Sequence, residues 1–161
     1  FLTVMLFACF SCSSQTEVTP KPVEPIITEP TTFVKGADIG WLPQMEATGY
    51  RFLDQDGTPK DGLQLLKDRG INTVRLRVWV NPSNHKIDGH CSKEETVVMA
   101  VRAQKMGMRI MIDFHYSDSW ADPGKQNKPA AWKTLNFDAL TTTLYAYTKE
   151  VVTQLKNNGI F

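Results

Sequence analysis

Cysteine is scarce in this sequence, and neither sign of charge is in excess. There are three cysteines in 161 residues, too few for a disulfide framework. Cys91 is the one that falls past residue 32, and we interpret it as a buried or free thiol rather than a catalytic one. The 18 Lys+Arg residues are balanced by 17 Asp+Glu, for a formal net charge of +1. Because contacts to phosphate supply most of the affinity of nucleic-acid binders, we expect no nucleic-acid partner.

Long apolar runs are also scarce. Residues 1–10 (FLTVMLFACF) reach only about half of the roughly 20 residues that a membrane-spanning helix needs. They have instead the length of the apolar core of an export signal. Cys9 and Cys12 follow in contexts that resemble the lipobox of bacterial lipoproteins. Residues 13–32 are polar and contain four prolines, which is typical of an extended tether.

These features predict three segments: a signal peptide with a lipobox at 1–12, incomplete at its N-terminus, a tether at 13–32 and a folded domain at 33–161. We expect lipidation at Cys12 (or Cys9), with ordinary signal cleavage as the alternative. The protein would then be an exported bacterial outer-membrane lipoprotein, at the cell surface or in the periplasm, or else a secreted protein. Its contact with the membrane would be through the lipid anchor alone.

The domain carries three strand-then-helix units in succession. The predicted strands are residues 34–39, 73–80 and 109–115. Each is followed by a helical pattern that ends at a glycine, namely Gly70, Gly107 and Gly159. Alternation of this kind predicts a parallel sheet with helices outside it, and both a doubly wound sheet and a (β/α)8 barrel fit.

Polar side chains interrupt these strands, although a central parallel strand is normally apolar on both faces. With a period of two, one face of the sheet collects Asp38, Arg75, Arg77, Trp79, Asp113 and His115. A single unpaired buried charge costs several kcal/mol, so we expect the two arginines and two aspartates to neutralise one another. A structural salt-bridge cluster is one interpretation. We favour a functional site, because Asp38, Trp79 and His115 fall at the carboxyl ends of strands, where barrel active sites form.

The loop that follows the third predicted strand is long. It covers residues 116–133, about 18 residues, against the few that usually connect a strand to a helix. Asp118, Trp120 and Asp122 in this loop suit a sugar, whose C–H face stacks on a ring while its hydroxyls form hydrogen bonds. Trp132 fits a packing role equally well. Asp113 and His115 would supply only two ligands to a metal, so we expect neither a metal nor a cofactor.

Three segments together resemble glycoside hydrolase family 53, the endo-β-1,4-galactanases. They are residues 35–39 (KGADI), 70–82 (GINTVRLRVWVNP) and 113–123 (DFHYSDSWADP), and the resemblance runs in order over residues 33–161. It implies a (β/α)8 TIM barrel of the large retaining glycosidase clan, with about the first three βα units present. It also implies a monomer that cleaves β-1,4-galactan in type I arabinogalactan, a side chain of pectin.

The resemblance also implies site residues. In this family two glutamates, at the ends of the fourth and seventh strands, carry out a retaining double displacement. Neither position occurs in this sequence, so we expect an N-terminal part of the enzyme that is inactive and not stably folded alone. Arg75 would support the nucleophile, and His115 would line the subsite of the cleaved sugar. Substrate binding is assigned to Asp38, Trp79, Asp118, Trp120 and Asp122. The charged network beneath the site is assigned to Arg77 and Asp113, and Asp38 also belongs to it.

Two alternatives remain open on the sequence. One is a non-catalytic carbohydrate-binding lipoprotein on a degenerate barrel, which would keep the tryptophans but lack one or both glutamates. The other is a different polysaccharide hydrolase of the same clan, for which Arg75 and His115 are expected but the loop from Ser117 to Pro123 is not.

Overall fold

Three parallel strands and four α-helices are found in the part of the chain that the structure, a computed structural model, describes: residues 33–85 and 89–160. In chain order they are β1 (Gly36–Asp38), α1 (Leu42–Ala47), α2 (Gly62–Asp68), β2 (Thr73–Val78), α3 (Lys93–Lys105), β3 (Arg109–Phe114) and α4 (Phe137–Asn157), with a short 3-10 helix at Ala130–Trp132. The expected signal peptide, its Cys9 and Cys12, and the tether to residue 32 lie outside the described residues.

The sheet has the order β1-β2-β3, and both pairings are parallel. The register places Asp38 beside Arg75, Arg75 beside Met111, and Arg77 beside Asp113. The three predicted strands are therefore present, although β2 stops two residues early. It does so because Trp79 N bonds to Cys91 O (2.9 Å) and Val80 N to Ser117 O (2.8 Å), which draws the chain out of the ladder and into the loops.

One face of the sheet forms the hydrophobic core. Val74, Leu76 and Val78 are at most 1% exposed, and they belong to the same apolar cluster as Ala100 and Ala103 of α3. The core also takes in Tyr147, Val151 and Leu155 of α4. Burial of branched side chains on this face leaves the opposite face of the sheet to the polar residues of the same strands.

The helix boundaries follow from local capping. Asp61 and Asn136 each accept a backbone N–H of the first turn, at 3.0 Å from Gln64 N and 2.9 Å from Ala139 N. Ser92 and Glu95 form a capping box at the start of α3. The predicted helix ends are confirmed, because Gly70, Gly107 and Gly159 adopt the positive φ that terminates a helix without a steric penalty.

α1 is a helix that the hydrophobic pattern does not predict. It has six residues, and of these Leu42 alone is fully buried, so there is no apolar stripe to detect. None of the helices within the described ranges is both long and apolar enough to cross a membrane.

The capping box gives a stability prediction. Replacing Ser92 with alanine removes the hydroxyl that accepts Glu95 N at 3.2 Å, so the free energy of unfolding of the full-length protein should fall by about 1 kcal/mol in chemical denaturation. Thr142→Ala, at an exposed site in α4, is the matched control and should change it by less than about 0.5 kcal/mol. Equal losses from both variants would contradict the capping role.

Candidate active site

The polar face of the sheet and the loops at its carboxyl edge form one site. Arg75 lies at the centre: Nη1 donates to Asp38 Oδ2 at 2.6 Å, and Nη2 donates to Asp113 Oδ2 at 2.5 Å. The register explains this geometry, because Asp38 is the neighbour of Arg75 in β1 and Asp113 lies two residues beyond its neighbour in β3. One guanidinium thus ties all three strands together.

His115 extends this arrangement at the end of β3. Its Nε2 lies 2.9 Å from Asp113 Oδ2, and its Nδ1 accepts the indole N–H of Trp79 at 3.1 Å. We name Asp38, Arg75, Asp113 and His115 the Arg75 cluster. With His115 neutral, its two carboxylates and one guanidinium leave one net negative charge, and the ion pairs lie at the wall of a cleft rather than in the core, with the Arg75 side chain 43% exposed.

Arg77 departs from the expectation that both arginines neutralise the two aspartates. Across residues 33–85 and 89–160 no carboxylate forms an ion pair with it; it is 8% exposed, and its Nε is buried without a hydrogen-bond partner. Its guanidinium lies 4.9 Å from the ring centre of Trp120 and 5.8 Å from that of Trp79. The register predicted proximity to Asp113, but aromatic rings surround the cation instead.

Trp120 is held as a half-exposed platform. Arg77 lies against its ring, His115 meets it edge to face at 5.5 Å, and Asp122 Oδ2 accepts its indole N–H at 3.1 Å. The indole is nevertheless 47% exposed. A fixed aromatic surface beside carboxylates is the arrangement that stacks on a sugar ring.

The remaining residues assigned to substrate binding make contacts within the protein. Trp79 is 4% exposed and faces His115, so it does not line an open groove among the described residues. Asp118 joins two loops, since its carboxylate accepts Asn81 N at 3.0 Å and Ala130 N at 2.8 Å. Asp122 holds both Trp120 and the backbone N–H of Gly124 (2.8 Å). Trp132 is 6% exposed and packs against the rings of Tyr116 and Tyr147.

The sequence pattern did not identify three residues that lie beneath the site, Gly40, Cys91 and Tyr147. Gly40 leaves room for Arg77, and Cys91 Sγ donates to Gly40 O at 2.9 Å. Burial raises the pKa of the Cys91 thiol, which keeps it protonated as a donor. Tyr147 donates its hydroxyl to Trp79 O at 2.6 Å, and burial raises its pKa too. The signal available for Tyr147 was its place on the buried stripe of α4, one turn before Val151.

A cleft of about 390 Å³ opens beside the Arg75 cluster. Its lining includes Arg75, Asp113, His115, Asp122, Gln126 and Lys128. Within the described ranges there is no group of three or more His, Cys, Asp or Glu side chains placed to hold a metal ion. The chemistry that the cleft offers is hydrogen bonding and aromatic stacking around an ordered guanidinium.

Comparison with known proteins shows the family to which this chain belongs. Residues 34–161 match the model of Glycosyl hydrolase family 53. The chain belongs to this family. Glycosyl hydrolase family 53 catalytic domains are TIM barrels, and the three βα units described here are units of that (β/α)8 barrel, which confirms the fold predicted from the sequence. The Arg75 cluster accordingly lies at the carboxyl ends of barrel strands, the end at which TIM-barrel active sites form.

Named relatives of this family 53 chain are galactanases. The Endo-beta-1,4-galactanase of Bacillus subtilis is 38% identical over 132 residues, covering 80% of this chain and 31% of the relative. The Probable arabinogalactan endo-beta-1,4-galactanase A of Neosartorya fischeri is 41% identical over 126 residues, covering 78% and 34%. The chain therefore spans about a third of the length of the curated relatives it matches.

Two solved structures are similar as well. The Ignisphaera aggregans GH53 catalytic domain aligns with a TM-score of 0.73 at 33% identity, over 85% of this chain and 39% of that one. A structure from a study of two fungal beta-1,4-galactanases aligns with a TM-score of 0.71 at 36% identity, over 79% and 37%.

The close contact at Gly40 can be tested in the full-length protein. A methyl group there would lie 2.7 Å from Arg77 Cγ and 3.0 Å from its Nε, so Gly40→Ala should lower the free energy of unfolding by about 1–3 kcal/mol. Gly36→Ala is the control, because its methyl group would lie no closer than 3.8 Å to its neighbours. Equal free energies of unfolding for Gly40→Ala and Gly36→Ala would contradict the close contact between Gly40 and Arg77.

Proposed function

We propose that this chain provides the first three βα units of an endo-β-1,4-galactanase, which cleaves the β-1,4-galactan of type I arabinogalactan with retention of configuration. Support comes from the family match and from relatives named as galactanases. The observation that carries the proposal is the Arg75 cluster, which places an ordered guanidinium at the carboxyl ends of three barrel strands. Hydrolysis needs no cofactor, and the enzyme is a monomer.

Double displacement requires a nucleophilic carboxylate and an acid/base carboxyl about 5 to 5.5 Å apart. We place both on glutamates beyond residue 161, since no glutamate of the described residues lines the cleft. Arg75 has five N–H donors, and its bonds to Asp38 and Asp113 occupy two of them. The others remain to hold the incoming nucleophile ionised and correctly oriented. The 161 residues alone are therefore inactive, and both edges of the sheet, β1 and β3, lack their barrel neighbours.

The substrate lies along the cleft beside Trp120. A galactose unit stacks its C–H face on the exposed indole, which Asp122 and Arg77 hold in place. His115 shapes the same wall through its edge contact with Trp120. Hydrogen bonds from Gln126 and Lys128, which line the cleft, suit sugar hydroxyls.

Hydrolysis is tested on the full-length protein with linear β-1,4-galactan. We expect release of galacto-oligosaccharides, and a loss of roughly 100-fold in kcat for Arg75→Ala, because misplacing a reacting group by about 1 Å has that effect. Arg69→Ala is the matched control, a 55% exposed arginine that pairs with Asp54 away from the cluster. A folded full-length protein that releases nothing would favour the carbohydrate-binding lipoprotein instead.

We also propose that the protein is exported and lipid-anchored through Cys12, on the sequence of residues 1–32. Cys12→Ala should move the full-length protein from the membrane fraction to the soluble fraction, because the acyl chains supply the attachment. Cys9→Ala is the matched control and should stay with the membrane. Loss of attachment in Cys9→Ala alone would move the anchor to Cys9, and a soluble parent protein would indicate secretion.

A further inference from the structure

Trp79 is clamped just beyond the end of β2. Its backbone N–H donates to Cys91 O at 2.9 Å, and its carbonyl accepts the hydroxyl of Tyr147 at 2.6 Å. The side chain is buried, and its indole N–H points at His115 Nδ1, 3.1 Å away. Trp79 therefore binds to the Arg75 cluster through one hydrogen bond, to His115 Nδ1, and its own position is fixed.

That contact selects the tautomer of a neutral His115 ring. An indole nitrogen can only donate a hydrogen bond, so the ring nitrogen that faces it must carry a lone pair. A proton on Nδ1 would set two donors against each other at 3.1 Å. The proton of a neutral ring then belongs on Nε2, which lies 2.9 Å from Asp113 Oδ2 and can donate to it.

The charged groups around His115 come from every strand of the sheet and from the following loop. They are Asp38 on β1, Arg75 and Arg77 on β2, Asp113 on β3, and Asp122 and Lys128 in the loop. Asp113 Oδ2 is shared between His115 and Arg75. A doubly protonated His115 would compete with Arg75 for this oxygen, whereas a neutral one donates without adding charge.

We propose that Trp79 is a positioning residue of the hydrolase site: its indole N–H fixes the tautomer of His115, so that the neutral ring carries its proton on Nε2 and donates it to Asp113, the carboxylate that also binds Arg75. This inference deepens the proposed function and rests on it. It changes the role expected for Trp79 from contact with the polysaccharide to control of His115. Trp79 acts through His115 and does not touch the reacting atoms.

The first test reads the ring nitrogens directly. The full-length protein is labelled with ¹⁵N-histidine, and the His115 resonances are assigned by their loss in His115→Gln. We expect the neutral ring to be protonated at Nε2 and bare at Nδ1. In Trp79→Phe, where Nδ1 loses its donor, the tautomer protonated at Nδ1 should become populated.

The second test is kinetic, and its control is Trp132→Phe. Trp132 is also buried, but its indole makes no hydrogen bond to the described residues. We expect Trp79→Phe to lower kcat on galactan roughly two- to tenfold, the loss of about one neutral hydrogen bond. KM should hold, since Trp79 is buried, and Trp132→Phe should keep the parent kcat.

The outcomes separate this proposal from the proposed function. A neutral His115 protonated at Nδ1 in the parent protein, or an unchanged tautomer in Trp79→Phe, would overturn the role of Trp79. The parent spectrum decides the matter even if Trp79→Phe does not fold. Absence of galactan hydrolysis from a folded protein whose His115 is protonated at Nε2 would overturn the hydrolase and leave the contact between Trp79 and His115 as found.

Discussion

The rest of the site depends on one guanidinium shared between two carboxylates. Arg75 on the middle strand bonds to Asp38 on one side and to Asp113 on the other, which fixes the polar face of all three strands at once. Such a cluster contributes little to stability by itself, because charges brought out of water lose hydration. What the two ion pairs provide is geometry, because each carboxylate restrains the guanidinium from a different side.

Two sets of contacts surround this cation. Asp113 links it to His115 and Trp79. Beside Trp79, Arg77 is seated on Gly40 and lies against the half-exposed ring of Trp120. Arg77 and His115, whose side chains are mostly buried, both contact this ring. The Arg75 cluster and Trp120 are therefore parts of one packed unit.

Much of the fold and of the polar face could be predicted from the sequence, because the alternation of side chains along a strand and the ends of strands are local properties. The three βα units and the polar face follow from period-two spacing along the strands. Of the two arginines expected to neutralise the aspartates, Arg75 alone does so, from the register position beside Asp38. The surroundings of Arg77 could not be predicted in this way. They depend on a glycine in one loop and a tryptophan in another, and no spacing rule brings these together.

The hydrogen bonds of the two loop carboxylates could not be predicted either, for a related reason. Asp118 and Asp122 are residue types that bind sugars, but their oxygens accept backbone and indole N–H groups whose positions are set only by the folded loop. Trp79 likewise looked like a substrate contact until its burial and its bond to His115 were known. The strand-end pattern predicted which side chains lie together, and the contacts that each of them makes became known only from the three-dimensional structure.

The most direct test of the central claim is a double-mutant cycle on kcat/KM for β-1,4-galactan, with Arg75→Lys, Asp113→Asn and the double variant in the full-length protein. Lysine keeps the charge of Arg75 but replaces its planar fork of five N–H donors with a single ammonium group. If the two residues act as one unit, the double variant should lose hardly more activity than the worse single variant. Losses that simply multiply would show that Arg75 and Asp113 act independently, and would contradict this account of the site.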